Sequence, residues 1–367
     1  MDCSLLDEVS YHTIQKFDLI RDYVVGWSEK IMHFNPTEYN CKGIIYIDCM
    51  CNCGEYINKK NGEIIDGTSL KVIEKLIIVA HQCVNKSIEI YFNDISAERV
   101  NYLKNRIEKR FKIPTNMNIY YSSEDASRFL EKFHRNTIKN KNTLLVYDPY
   151  EANIDWKAID LFLNSWGEVI INHMISDAVR GVKQAKNPEK KKKYETTYQV
   201  EFEKLLNANK KDYELLVEKN IRNCIKRDKE VFISSIPFYI KTNVQIYNLI
   251  HISYNIKGFN LFKTCAWKIA NGQSSIKYQK KNLHQLTLDL GESFDDVSYE
   301  YNYTLQDIVF YIKRKYGTRG IVALNEVYKD LQHHPIFPCD GFKNDIKNML
   351  KMNGCEIKGK NIIFKEE

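Results

Sequence analysis

Five short runs of β-branched and aromatic residues, each about as long as a buried strand, alternate with helix-period segments through the first half of the chain. The runs are Gly43–Cys49, Ile88–Phe92, Ile119–Ser122, Leu144–Tyr147 and Val169–Ile171. Between them, apolar residues recur at helical spacing over Ser69–His81, Ala97–Phe111, Glu124–His134 and Trp156–Trp166. A strand that is apolar along its whole length is buried on both faces, and strands separated by helices return in one direction. The pattern predicts a doubly wound α/β domain, a parallel sheet with helices on both sides. One more helix, Tyr11 to Met32, precedes the first strand, with Ile14, Phe17, Leu19, Ile20, Tyr23, Val24 and Trp27 on its apolar side.

Two later segments, Val244–Tyr254 and Asn260–Ile269, read as a closing hairpin around Asn255-Ile256-Lys257-Gly258-Phe259, with the last strand reversed. Five βα units and a terminal hairpin are the inventory of a class I methyltransferase-like (Rossmann-like) seven-stranded sheet. The expected sheet domain spans residues 1–270 and is interrupted by a helical insertion at about 176–237. The second part of that insertion reads as two helices, on Leu205, Leu206, Leu216, Val217, Ile221 and Ile225. A polar linker, 271–302, comes next, and Leu286–Leu290 within it could add an edge strand. In the remaining residues, 303–367, helices are expected at Thr304–Tyr316, Ala323–Leu331 and Phe342–Met352, and a tight hairpin at Glu356–Phe364. Three helices and a hairpin make a winged helix.

Hydrophobic residues are 44% of the chain and aromatics 12%, enough for a large core and against disorder. No apolar run approaches the roughly 18 residues a membrane helix needs. With no apolar leader in Met1–Glu8, the ten cysteines read as reduced thiols and the location as cytoplasmic. Cys49, Cys51 and Cys53 lack the C-x-x-C spacing of zinc sites, so no metal is expected and small thiols filling a turn is the favoured reading.

In an open α/β sheet, ligands meet the carboxyl ends of the strands. The first strand ends in Asp48 and a turn, Cys49-Met50-Cys51-Asn52-Cys53-Gly54, in which Gly54 and Asn52 can take left-handed backbone. The second ends in Asn93-Asp94, a carboxylate placed to accept ribose hydroxyls or, alternatively, to help start the next helix. Asp125, after the third strand, either approaches an adenine amino group or caps a helix. The fourth ends in Asp148-Pro149-Tyr150. The acid can accept from an exocyclic amine while the ring stacks on an extruded base; an ordinary Asp-Pro turn is the alternative.

Lysine and arginine number 54 against 47 acids, a formal +7 that permits an anionic partner without requiring one. The excess is concentrated between Arg180 and Lys193, where seven basic residues, among them Arg180, Lys183, Lys190, Lys191, Lys192 and Lys193, face one acid. In the last predicted helix Lys343, Lys347 and Lys351 fall at i, i+4 and i+8, a stripe able to track phosphates or simply to be solvated.

Together, His12-Thr13…Lys16…Tyr23…Trp27, Ile45-Tyr46-Ile47-Asp48, Asp66-Gly67-Thr68-Ser69-Leu70 and Val146-Tyr147-Asp148-Pro149-Tyr150 with Trp156 resemble the three-Cys-motif partner (TcmP) proteins of bacteria. The resemblance runs from His12 to Trp267 and implies a methyltransferase-like fold, with the winged helix that some members append. It also implies a radical-SAM-like iron–sulfur partner protein. Where the family has Asp-Leu-Phe-Ala-Gly-Pro-Gly, this chain has Asp48-Cys49-Met50-Cys51-Asn52-Cys53-Gly54. Three functions are compatible with these features. In one, the chain is an S-adenosylmethionine (SAM)-dependent methyltransferase acting on a base of DNA or RNA. In another it is a catalytically silent nucleic-acid-binding or scaffold protein of the same fold. In the third it is an accessory subunit that docks such an iron–sulfur partner.

Overall fold

The computed structural model describes residues 5–34, 40–226, 228, 230–240, 244–277 and 301–364. Seven strands, β1 (Gly43–Asp48), β2 (Ser87–Asn93), β3 (Met117–Ser122), β4 (Lys141–Tyr147), β5 (Gly167–His173), β6 (Phe232–Tyr239) and β7 (Gln245–Ser253), form one sheet in the order β3-β2-β1-β4-β5-β7-β6. The first five are parallel, and β7 runs antiparallel to both β5 and β6. Every residue of β1 and β5 is buried, as the uninterrupted apolar runs require. The order, with its reversed seventh strand, is the one expected of the methyltransferase-like sheet.

Helices α1 (Tyr11–Met32), α2 (Thr68–Gln82), α3 (Ala97–Arg110), α4 (Ala126–Glu131) and α5 (Trp156–Leu163) connect and cover the strands. α1 buries Leu19, Ile20, Tyr23, Val24 and Trp27 in one core layer with Leu70, Ile73 and Leu76 of α2 and with Ile44 and Tyr46 of β1. The opposite layer holds Ile45, Ile47, Leu145, Ile171 and the insertion. A small second sheet joins Glu8–Val9, Glu55–Asn58 and Ile64–Asp66, bringing the N-terminal segment beside the β1–α2 connection.

Three expectations need correction. Asn260–Ile269 is not a strand but most of helix α10 (Ile256–Ile269), started by Asn255, whose side chain accepts from the Lys257 N–H at 2.9 Å. It reads as a strand because the helix is buried nearly all round: Phe262 and Ala266 join the sheet's core, while Trp267 joins the core of the C-terminal unit. The hairpin is instead β6–β7, and the insertion ends before Phe232 rather than at Pro237. A proline is tolerated there because β6 is the sheet's edge strand.

The second part of the insertion carries the two expected helices, α8 (Phe202–Leu206) and α9 (Lys210–Cys224), and among the described residues its first part is helical as well, in α6 (Ile175–Gln184) and α7 (Pro188–Tyr198). Asn187 caps α7 by accepting from the Lys190 N–H at 2.7 Å, with Pro188 in the first turn, so the lysine run is helical. The sheet unit also extends beyond residue 270, because Ile276 bridges Phe238 of β6, its N–H donating to the Pro237 carbonyl at 3.0 Å. Leu286–Leu290 lies outside the described residues.

The C-terminal unit comprises α11 (Leu305–Tyr316), β8 (Ile321–Ala323), α12 (Leu324–His333), α13 (Lys343–Met352), β9 (Glu356–Lys358) and β10 (Asn361–Ile363), with the sheet in the order β8-β10-β9. It is pinned to α10 by Lys263. That buried ammonium donates to the carbonyls of Leu331 (3.2 Å), Gln332 (3.2 Å) and His334 (2.6 Å) at the end of α12.

Candidate functional site

The carboxyl ends of β2, β1, β4 and β5 lie side by side, and each delivers a polar residue to the same edge. Asp94 follows β2, Asp48 ends β1, Asp148 follows β4, and Asn172 is the penultimate residue of β5. Side chains alternate along a strand, so Asp48, Asp148 and Asn172 share a face with Tyr46, Val146 and Ile170, the face that α1 and α2 cover. Those helices close the row from above. Lys16 of α1 sets its Nζ 2.5 Å from Asp148 Oδ2, and Ser69 of α2 donates to Asp48 Oδ2 at 3.2 Å. Asn172 Nδ2 donates to the other Asp148 oxygen at 2.6 Å.

Asp48 is 4% exposed, and its carboxyl is pushed up to about 7, first by burial and then by the charge of Asp148 beside it. Tyr56, from the small sheet, reaches the same space; burial holds its phenol well above the usual value, with Tyr150 and Asp148 adding to the effect. His12, one turn before Lys16, is lowered by burial and then by the Lys16 charge. Lys16 lies 5.2 Å from the centroid of the Tyr247 ring, so α1, β4, β5 and β7 meet at one point.

The turn after β1 is built as the sequence suggests. Asn52 (φ 56°) and Gly54 (φ 79°) take the left-handed conformation. The three cysteines face inward: the Cys49 thiol donates to the Val146 carbonyl (3.2 Å), that of Cys51 to the Asn52 carbonyl (3.4 Å) and that of Cys53 to the Glu55 carbonyl (3.1 Å). Among the described residues no cluster of metal-ligating side chains occurs. Asn93 ties three loops, donating to the carbonyls of Cys49 and Glu124 (both 3.0 Å) and accepting from the Glu124 N–H at 3.1 Å.

Asp94, 5% exposed, accepts from the Asn52 N–H (3.0 Å) through one oxygen and the Ser96 N–H (2.9 Å) through the other. It therefore serves the turn and the start of α3 together, and each oxygen retains a second lone pair. Its neighbour Ile95 is 78% exposed.

Over this edge lies a latch the sequence does not announce. The Asn52 carboxamide, 1% exposed, donates to Asp7 Oδ2 at 2.9 Å and to the Tyr150 hydroxyl. Arg99 of α3 donates to Asp7 Oδ1 (3.1 Å) and to the same hydroxyl (3.4 Å). Tyr150 is thus held by its hydroxyl while its ring remains largely exposed.

Other assignments fare differently. Asp125 caps α4, accepting from the N–H groups of Ser127 and Arg128 (3.0 and 3.3 Å), which favours the capping alternative. Insertion helices wall the segment after Asp148: Asp177 accepts from the Ala152 N–H (2.8 Å), and the Thr197 carbonyl accepts from Trp156 Nε1 (2.7 Å). Lys193 is turned inward to Glu151 at 2.6 Å, so it is not free for a phosphate; Arg180, Lys183, Lys190 and Lys192 are exposed, and Lys191 is half-buried over the Phe202 ring. In the C-terminal unit Lys343 pairs with Asp340 at 2.9 Å, whereas Lys351 is exposed and Lys347 half-exposed. Among the described residues no helix is long and apolar enough to cross a membrane.

No protein-family model and no curated protein sequence matches the chain. Similar solved structures include the LPL1258 protein of Legionella pneumophila str. Philadelphia 1, assigned to the family model DUF519. It is 13% identical, with 70% of this chain and 91% of that chain covered and a TM-score of 0.40. PKMT2 of Rickettsia typhi is 9% identical over 95% of this chain and 76% of its own, with a TM-score of 0.31. The StiE O-MT fragment, residues 942–1257, is 12% identical over 64% and 76%, with a TM-score of 0.22. Likenesses this distant carry no chemistry to the present residues.

Proposed function

We propose that the carboxyl edge of the sheet binds SAM and that the protein transfers its methyl group to an amino group of a nucleic-acid base. The observation that carries this reading is the row Asp94, Asp48 and Asp148 on three adjacent strands, beside a turn whose backbone is left-handed at Asn52 and Gly54. The donor set suits such a ligand by type and place. Asp94 has lone pairs left for ribose hydroxyls, exposed Ile95 offers an apolar surface to a purine, and Asp48 is a buried acid to which a cationic amino group would be welcome. Bound there, SAM supplies an electrophilic methyl group. The chain's own part is alignment, which needs neither metal nor nucleophilic side chain. Asp148 would orient the amine and the Tyr150 ring would stack on the base, while exposed Arg180, Lys183, Lys190 and Lys192 would meet its phosphates.

In the same reading the C-terminal unit is a winged helix, and the resemblance to TcmP proteins extends to an iron–sulfur partner, to be sought by co-purification from the native host. Calorimetric titration with SAM and S-adenosylhomocysteine tests the cofactor site. Binding that Asp94→Ala abolishes in a folded protein is the expected result. The Asn52–Asp7–Tyr150 latch favours a second reading, a silent nucleic-acid-binding scaffold. Nucleic-acid binding that ignores SAM and Asp94→Ala alike would replace the first reading with it.

A further inference from the structure

Asn172 is buried, 2% exposed, and its two amide ends have unequal fates. Nδ2 donates to Asp148 Oδ1 (2.6 Å) and to the sulfur of Met174 (3.4 Å), whereas Oδ1 is buried with no hydrogen-bond partner among the described residues. Turning the amide over would set two acceptor oxygens against each other at 2.6 Å, so the orientation is fixed by Asp148. A buried carbonyl without a donor destabilises a folded chain, and native proteins carry few of them. Asp148 in turn is held by Lys16 at 2.5 Å, and each of its oxygens has accepted one donor with room for another. Two acceptors on neighbouring strands, one with no donor, therefore stand at the edge that ends in Asp148-Pro149-Tyr150.

We infer that Asn172 Oδ1 is a second contact to the reacting group and that the group methylated is a primary amine, its two N–H bonds received by Asn172 and Asp148. This rests on the methyl-transfer reading above. A hydroxyl or thiol has one hydrogen and would leave one acceptor unused; a nitrogen with two hydrogens satisfies both. The nitrogen lone pair forms the N–C bond as the C–S bonding pair returns to sulfur, and the nitrogen sheds one proton. Asp148 receives that proton and passes it to water, while Asn172 holds the hydrogen that remains. Lys16, paired with Asp148 Oδ2, is a positioning residue for Asp148.

Sinefungin and S-adenosylhomocysteine provide the test. Sinefungin carries a primary ammonium where the transferred methyl would stand, and S-adenosylhomocysteine carries no group there. In Asn172→Leu, sinefungin affinity is expected to fall tenfold or more while S-adenosylhomocysteine affinity stays within twofold. Asn172→Ala, which cannot overfill the space, carries the same expectation should the leucine variant not fold. Lys16→Arg, which keeps the charge against Asp148, is expected to retain the wild-type ratio, and Lys16→Met to reduce it. Equal loss of both ligands in the Asn172 variants would overturn the inference by showing a structural role, and so would an unchanged ratio. If neither nucleoside binds the wild-type protein, the methyl-transfer reading itself fails.

Discussion

Asp48→Asn should stabilise the protein at neutral pH, and more so as the pH rises. Asp48 is fully enclosed at the end of β1, with its carboxyl raised from 3.8 to about 7 by burial and then by Asp148. The sign depends on which state holds the proton. Between about pH 4 and 7 the folded chain keeps a proton that the unfolded chain has released, so raising the pH across that window favours unfolding. At roughly 1.4 kcal/mol per pH unit, the folded state is penalised by on the order of 1 kcal/mol at pH 4.5 and 4 kcal/mol at pH 8. Asparagine keeps an acceptor for Ser69 Oγ, now 3.2 Å from the carboxylate, and removes the charge.

Urea unfolding followed by far-ultraviolet circular dichroism at pH 4.5 and pH 8 measures the effect. The advantage of Asp48→Asn over wild type should grow by ~3 kcal/mol between the two. Asp148→Asn should weaken the pH dependence of the wild-type background, since Asp148 is the second cause of the shift. An advantage equal at both pH values would refute the reasoning, because it would mean that Asp48 does not titrate within the window.

Two other sites give separable predictions. Lys263→Met keeps the bulk on α10 but deprives three carbonyls at the end of α12 of their donor; a loss of about 2–4 kcal/mol and easier proteolytic release of the C-terminal unit should result. Burial lowers this lysine to about 7, so the folded chain gives up a proton that the unfolded chain keeps up to about 10.5. Wild-type stability should therefore fall as the pH rises from 4 to 7 on account of Asp48 and be penalised less below pH 7 than above it, whereas the Lys263 ammonium works in the opposite sense: its burial costs stability below about pH 10.5, most of all below pH 7. Lys263→Met should remove that second contribution from the profile; an unchanged profile in denaturant titrations would show that Lys263 is not shifted, and a stability equal to wild type would count against the pin. Gly54→Ala sets a Cβ against Leu103 Cδ1, closer than carbon atoms approach, on a backbone of φ 79°, which should cost about 2–3 kcal/mol; a melting temperature equal to wild type would show that the turn can relax.

What the sequence revealed depended on whether a residue's surroundings are local. The central parallel strands β1, β4 and β5 were legible because they are buried nearly throughout and so nearly uniformly apolar. Strand β2 and the edge strand β3 were legible because β-branched and aromatic residues run through them despite their half-exposed face, and α1 because its apolar residues recur at helical spacing. The same logic misreads α10. A helix pressed between the sheet and a second unit loses its polar side, and periodicity then no longer separates it from a strand. Strand β6 was missed for the converse reason: a central Pro237 argues against a strand unless the segment is known to be an edge, and edge position belongs to the assembled sheet.

The site divides along the same line. Asp48, Asp94 and Asp148 could be placed from sequence because strand ends in this architecture have a defined destination. Lys16 was visible only as part of a resemblance, and Asp7, Arg99 and Asn172 gave no signal, since each acts through a partner between 24 and 92 residues away. Yet these residues change what the acids can do. With Asp7 and Tyr150 fastened to Asn52, whose N–H is received by Asp94, a ligand of the proposed kind would have to open the latch to reach Asp94. With Lys16 and Asn172 fastened to Asp148, the acid is aimed before any substrate arrives, the condition under which alignment contributes to rate rather than to affinity. The edge is thus preorganised at Asp148 and covered at Asp94. On the proposed reading a nucleoside ligand would undo contacts at one end of the row while using those at the other, and for that reason Asp7 and Asn172 should affect its binding independently.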